Sequence, residues 1–463
     1  MALSLFLSLP VLIYCSTIFV VEVSRHGART PLTYFPWDTA DGRWSPYPEG
    51  ELTPEGMRQH YLLGYEFRNR YIINTRLLNE TFYQPEINVY STDVDRTLQS
   101  AVSQLLGLYP PGTGPNLRLP ELEETAVPPI EVYNETEIIQ ELGQSALPNH
   151  TQVIPVHTDS LSREILLVAS EDCPRYDYLM DLRNNATDVQ ELIEENASLL
   201  TTIATYFKVS ASEAGNIFPG LVDNLRVNNW YGYTVPTEFQ GNFFTQANSF
   251  ANQLNQLTAY TPDLLARYAG SAFLSTLSYL LNNAQKEASD LRYQFYSAHD
   301  TTILNILSAL QLPNGQQPPF ASTLIFELIQ DDANPTVYNV TLAYNDVLQT
   351  VGNCPSTSCP LETFLEFINA RAFPNITASC MMNYDTVNWG SLTKPSTKSS
   401  SSDDDFFESL DWYWWVVISV GFVVVISAII AVIVYCIKKN KKSSSTYERM
   451  DFINEKMDFK SPK

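Results

Sequence analysis

Positive charge is scarce in this chain: 28 Lys and Arg stand against 51 Asp and Glu over 463 residues, a formal net charge of −23. So acidic a surface repels polyanions, which excludes nucleic acid as a partner. Histidine is scarce too, with five copies, and cysteine with six. No histidine lies near the cysteines, so the spacing of a zinc site is missing. Internal repeats are absent, which excludes a repeat array.

Charge of either sign is missing from 412–437, 26 residues that suffice to cross a hydrocarbon core of about 30 Å. Trp412, Tyr413, Trp414, Trp415 and Tyr435 read as interfacial belts, and Lys438, Lys439, Lys441 and Lys442 follow at once. The segment is therefore expected to be a transmembrane helix with a cytosolic tail at 438–463. That tail holds eight Lys and Arg against four Asp and Glu, so it nets +4 and the rest of the chain nets −27.

The opening Met1 to Val21 is apolar and reads as a signal peptide (1–16) running into a first strand. Cleavage near Cys15 or Ser16 leaves Thr17 to start a lumenal domain, 17–389. Seven N-glycan acceptors, Asn79, Asn134, Asn149, Asn185, Asn196, Asn339 and Asn375, all lie in that domain, as translocation predicts. Cys15 belongs to the signal and Cys436 to the membrane helix, which leaves Cys173, Cys354, Cys359 and Cys380 for two disulfides. Cys354 and Cys359 close a short Pro/Ser loop, so Cys173 is left to staple mid-chain to C-terminal end.

Residues 17–110 alternate strand and helix: Thr53-Pro54 opens a helix to about Ile73, Ile87–Ser91 is a strand, and a helix follows to Tyr109. Roughly 115–285 shows few strand signals and reads as an inserted, mainly helical cap, with Val189–Ala204 and Leu264–Asn283 as helices. A strand at Tyr293–Ala298, a helix from Asp300, an antiparallel pair at 322–330 and 336–344 and a helix at 360–372 complete an α/β core. Ser, Thr, Lys, Pro and Asp dominate 390–411, a stalk without a core.

Three strand ends collect the chemistry: Arg25-His26-Gly27-Ala28-Arg29, Ser91-Thr92-Asp93-Val94-Asp95-Arg96 and His299-Asp300. Ligands of open α/β sheets bind outside the carboxyl ends of strands, so these groups are expected to converge. One imidazole between forked, permanently charged guanidiniums suits a phosphate monoester, whose transition state spreads negative charge over three oxygens. His26 is the candidate nucleophile, Arg25, Arg29 and Arg96 the phosphate ligands with His299, Asp300 the leaving-group acid, and Gly27 the point where backbone approaches phosphate. Asp93 and Asp95 lack the companions of a metal site. His60 reads as structural, and His150 and His157 carry no signal.

These motifs, with Leu52-Thr53-Pro54-Glu55-Gly56-Met57-Arg58-Gln59-His60-Tyr61 and Cys173-Pro174-Arg175, resemble the histidine acid phosphatases, in the branch of the lysosomal and prostatic enzymes. The resemblance covers about 17–385. It implies a mixed, mostly parallel sheet flanked by helices, of the phosphoglycerate-mutase-like kind, with the helical cap. It implies the same six site roles, no metal or organic cofactor, hydrolysis of small phosphomonoesters at acid pH, and a homodimer. It also implies pairing of Cys173 with Cys380 and of Cys354 with Cys359, while Val227 and Thr323 stand where that branch has a third disulfide. Tyr447-Glu448-Arg449-Met450 fits an endocytic sorting signal read by an adaptor, so the expected place is a type I protein of lysosomal, endosomal or surface membrane. The rival readings are a catalytically silent receptor or adhesion glycoprotein, a phosphomutase, and a phytase-like phosphatase.

Overall fold

The apolar run at the N-terminal end forms β1 (Cys15–Arg25), two residues longer than the expected mature start allows. The structure is a computed structural model that describes residues 15–381 apart from 120, 122–124, 170–172 and 313–314. The expected signal up to residue 14, the expected stalk, the 412–437 segment and Tyr447 and Met450 lie outside the described residues. Among the described residues no helix is long and apolar enough to cross a membrane.

After β1 come α1 (Pro36–Ala40), α2 (Pro54–Arg68), β2 (Ile87–Ser91) and α3 (Asp95–Leu108). The helical insertion runs α4 (Glu135–Leu142), α5 (Pro174–Asn184), α6 (Thr187–Glu195), α7 (Ala197–Phe207), α8 (Ala211–Tyr231), α9 (Asn242–Asn255) and α10 (Asp263–Gln285). Then follow β3 (Tyr293–Ala298), α11 (Asp300–Ala309), β4 (Thr323–Asp331), β5 (Asn334–Tyr344), β6 (Val347–Gln349), β7 (Ser358–Pro360), α12 (Leu361–Arg371) and α13 (Ile376–Cys380).

The strands form one mixed sheet in the order β2-β3-β1-β4-β5-β6, with β7 against β5. Only the β1–β3 and β2–β3 pairings are parallel; β4 runs antiparallel to β1 and to β5, and β6 and β7 are antiparallel to β5. The expectation of a mostly parallel sheet is thus corrected. Helical crossovers return the chain for parallel pairing among β1, β2 and β3, whereas short turns join β4 to β5 and β5 to β6 and permit only antiparallel neighbours. Asn345 and Asp346, both at positive φ (47° and 64°), make the tight turn between β5 and β6.

Period-two alternation along β1 divides the core. Phe19, Val21 and Val23 face a cluster with Phe273, Leu277, Ile303, Ile306 and Phe364, and Val20 faces one with Phe67, Tyr71, Ala101 and Leu105. Helix α10, expected inside the cap, therefore flanks the sheet. A separate helical core forms around Ile203, Phe218, Leu221, Phe239 and Phe250, joined by Phe35. The helix expected over Val189–Ala204 is broken: Asn196 leaves helical geometry and its side-chain amide bonds to the Leu192 carbonyl at 2.9 Å, competing with the backbone ladder. Helix α8 starts on a capping box between Ser210 and Glu213 and stops at Gly232, whose φ of 72° suits a residue without Cβ.

Cys173 is bonded to Cys380, 207 residues apart, and Cys354 to Cys359. None of the seven sequon asparagines is buried: Asn196 and Asn339 are half-buried, the others exposed.

Candidate active site

The three parallel strands end on one side. Arg25 closes β1 opposite Ala298, the last residue of β3, and the His26 N–H bonds to the Ala298 carbonyl at 2.9 Å. His299 caps α11 and Asp300 opens it, while Thr92 and Arg96 follow β2 at the start of α3. All six residues expected at the site come together. His26, Arg29, Arg96, His299 and Asp300 line one cavity of about 550 Å³, and Arg25 reaches its floor through Asp300.

The loop from Arg25 to Arg29 is held tightly. Its Ala28 N–H bonds to Gln59 Oε1 at 2.8 Å, its Gly27 N–H to Ser100 Oγ at 3.1 Å, and its Ala28 carbonyl accepts from the Thr53 N–H at 3.0 Å. A Cβ on Gly27 would lie 2.3 Å from the Gly56 carbonyl oxygen. The bare backbone of Gly27 thus serves contact with the first turn of α2, where the sequence suggested contact with phosphate.

His26 presents one free nitrogen. Its Nδ1 lies 2.8 Å from the Gly27 carbonyl, which can only accept, so Nδ1 carries the hydrogen and Nε2 keeps its lone pair. Burial, then the charges of Arg25 and Arg29, drive its pKa well below the ordinary value, so the ring stays neutral. His299 stands 5.7 Å away, ring to ring, with Nε2 3.0 Å from Thr92 Oγ1. Burial and Arg96 push it down to about 3.

The guanidiniums are already oriented. Arg25 donates to Asp300 Oδ2 at 2.8 Å and to the Pro318 carbonyl, and lies 4.4 Å over the Phe320 ring. Arg29 makes a two-point bond to Asp223, at 2.7 and 3.1 Å. No ion pair neutralises Arg96 among the described residues; burial and Arg29 push it down to about 10. Its Nε, with those of Arg25 and Arg29, is buried without a partner. Such a cluster of half-compensated cations awaits an anion.

Asp300 is the counterweight. Burial would raise its carboxyl, but Arg25, the Gln317 amide at 2.6 Å and Arg29 outweigh that and hold it well below the usual carboxylate range. Asp223, Arg226 and Gln317 also belong to the cavity and were not foreseen. Asp223 and Arg226 sit three residues apart on one face of α8, in an apolar run; that spacing was the available signal. Gln317 receives a hydrogen bond from Arg226, in a loop that carries no motif. Among the described residues no group of three His, Cys, Asp or Glu converges to hold a metal.

With this geometry in place, comparison with known proteins is decisive. The family model described as "Histidine phosphatase superfamily (branch 2)" matches residues 18–345. The chain is a branch 2 histidine phosphatase. This phosphatase is 30% identical over 373 residues to prostatic acid phosphatase of Rattus norvegicus, covering 78% of this chain and 88% of that one. It is 31% identical over 320 residues to lysosomal acid phosphatase of Xenopus laevis, covering 68% of this chain and 66% of the relative. Its fold is shared with the Hafnia alvei phytase in complex with tartrate, at TM-score 0.53 and 16% identity, over 80% of this chain and 99% of that one.

Proposed function

We propose that this phosphatase hydrolyses small phosphomonoesters at acid pH through a phosphohistidine on His26. His26, with its bare Nε2, lines one cavity with Arg29 and Arg96, beside the Arg25–Asp300 pair, and this carries the reading. Arg25, Arg29, Arg96 and His299 hold the three non-bridging oxygens. Nε2 attacks phosphorus, the P–O ester bond breaks, and the leaving alkoxide takes a proton from Asp300. Water then attacks the phosphohistidine and returns its proton to Asp300, and inorganic phosphate leaves.

The Arg25–Asp300 pair explains the acid preference. An arriving phosphate draws the Arg25 guanidinium from Asp300 and sets negative charge beside the freed carboxylate, which raises its proton affinity. A monoester arriving as the monoanion, below its second pKa of about 6, brings the proton that Asp300 needs. The cavity above is lined by Leu32, Val94, Phe218, Pro219, Val222 and Leu254, with Asp223 and Arg226 among them. Such walls favour an apolar alcohol over a polyanionic one, which places phytate-like substrates second.

The same reading puts the catalytic domain on the lumenal or extracellular side, anchored by 412–437 as a type I protein that Tyr447 and Met450 direct to endosomes or lysosomes through a sorting adaptor. Two disulfides and seven accessible sequons support that side of the membrane.

Hydrolysis of p-nitrophenyl phosphate by the full chain in detergent, with a chelator present, tests the chemistry. Acid-favoured turnover, an acid-labile phosphoenzyme trapped on the wild type, and loss of both in His26→Ala are expected. Normal turnover by His26→Ala would refute the covalent route.

A further inference from the structure

Beneath the catalytic loop runs a chain of buried polar groups that the phosphoryl chemistry does not use. Glu22 lies on the Val20 face of β1, among apolar residues of α2 and α3, and is fully buried. It accepts from Tyr293 Oη, from Ser24 Oγ, and from Gln104 Nε2 at 2.7 and 2.8 Å. The far end of the Gln104 amide lies 3.0 Å from Nδ1 of His60, and Nε2 of His60 lies 3.0 Å from the carbonyl of Arg25, the residue before His26. Gln104 and His60 are buried as well.

Donor and acceptor counting fixes the protonation of this chain. A carbonyl only accepts, so His60 Nε2 must carry hydrogen to hold Arg25. If the Gln104 carbonyl faces Nδ1, that nitrogen also carries hydrogen, and an imidazolium is balanced by an anionic Glu22. If the Gln104 amide is turned over, its NH2 donates to a bare Nδ1, its carbonyl faces Glu22, and the carboxyl must be protonated to donate. Both arrangements contain the same single proton. Remove it, and Glu22 keeps the NH2 end of Gln104, so one of the two contacts of a neutral His60 sets lone pair against lone pair.

We propose that Glu22, Gln104 and His60 hold one shared proton that locks His60 onto the Arg25 carbonyl, and that loss of this proton loosens the loop carrying His26. His60 is thus a positioning residue, and the idea rests on the reading of His26 as nucleophile. Burial pushes Glu22 up to about 7, against its bonds from Ser24, Tyr293 and Gln104, and pushes His60 down to about 4. Between those values the pair holds one proton. The neighbouring titratable groups do not supply a charge for it: Tyr293 and Tyr71 are both driven far up by burial, Tyr71 donates to Glu327 at 2.9 Å, and Arg70 is engaged by Glu66 and Asp346. The unfolded chain also holds one proton on this pair, on His60, between the ordinary values of 4.5 and 6.5, so the raised Glu22 gives the folded pair an extra proton only between about 6.5 and 7. The grip is full while the pair keeps this proton and is lost, with the small stability that the extra proton adds, as pH rises through about 7.

Glu22→Gln is the discriminating variant. Its NH2 donates to the Gln104 carbonyl and to whichever of the Ser24 and Tyr293 hydroxyls it faces, which turns to accept, while its oxygen accepts from the other, so it stands in for the protonated carboxyl at every pH. In the full chain, with p-nitrophenyl phosphate, acid-side kcat should stay within about twofold and the alkaline limb of kcat should move up by about one pH unit or more. His60→Ala should lower kcat about tenfold or more, change KM less, and abolish that shift when combined with Glu22→Gln. An alkaline limb that does not move in Glu22→Gln, or a kcat lowered by one factor at all pH, overturns the proposal. Should Glu22→Gln fold poorly, wild-type imidazole 15N spectra decide: a His60 signal that changes at the midpoint of the limb supports the shared proton, and one that stays constant overturns it. Absence of a trapped phosphoenzyme in the wild type would instead refute the His26 reading, and the His60 signal would still report the proton.

Discussion

Gly27→Ala is a severe test of how the loop is held. The added Cβ would sit 2.3 Å from the Gly56 carbonyl oxygen and 2.6 Å from Gly56 Cα, backbone atoms with no rotamer to yield. Ordinary contact begins about 1 Å further out, so that much movement must be found. Gly56 cannot retreat freely, because its own Cα lies against the loop: a Cβ there would meet the Ala28 carbonyl at 2.2 Å. The loop is pinned at the Ala298 carbonyl, Ser100, Gln59 and Thr53, so the displacement falls on His26. Overpacking of this kind destabilises by about 1–3 kcal/mol. A misplacement of about 1 Å in the attacking group lowers the rate about 100-fold. The assay is kcat/KM with p-nitrophenyl phosphate beside a thermal melt. Gly215→Ala, in the interior of α8 with nothing within 4 Å, is the control, and better helix propensity should stabilise it by about 1 kcal/mol. Turnover of Gly27→Ala within threefold of wild type, with an unchanged melting temperature, would refute the picture of an interlocked loop.

Two further outcomes follow from other parts of the fold. Asp300→Asn should slow alkyl phosphates far more than p-nitrophenyl phosphate, by about 100-fold or more, because only the poorer leaving group needs the proton; equal losses would remove Asp300 from that role. Replacing Cys173 and Cys380 by Ala should destabilise by about 5 kcal/mol and replacing Cys354 and Cys359 by about 2, on the chain-entropy account of closed-loop length. Those loops span 207 and 5 residues, and chemical denaturation with similar losses for both pairs would count against that ordering.

Much of the site was legible because strand ends are a local matter. The apolar run before Arg25, the β-type Tyr293–Ala298 and the strand Ile87–Ser91 each announce themselves by composition, and each is followed at once by its polar residues. The side of the sheet on which they meet follows from parallel pairing with helical crossovers. Disulfide partners and sequons were likewise fixed by residue type and position. What the sequence could not express is distance across the chain. Asp223 reaches Arg29 from a helix 194 residues later, and Gln317 reaches Asp300 from a motifless loop. Their roles arise only when the helical insertion packs beside the sheet. The antiparallel half of the sheet and the return of α10 to its face are long-range choices as well. His60 shows the difference most sharply: the sequence marked it only as structural, on an exposed or a packed face of its helix, and only burial of Glu22, Gln104 and the Arg25 carbonyl around it decided that its two nitrogens would need a proton. Residue chemistry was written locally, whereas the partners that tune it were chosen by packing, which joins residues that sequence order holds apart.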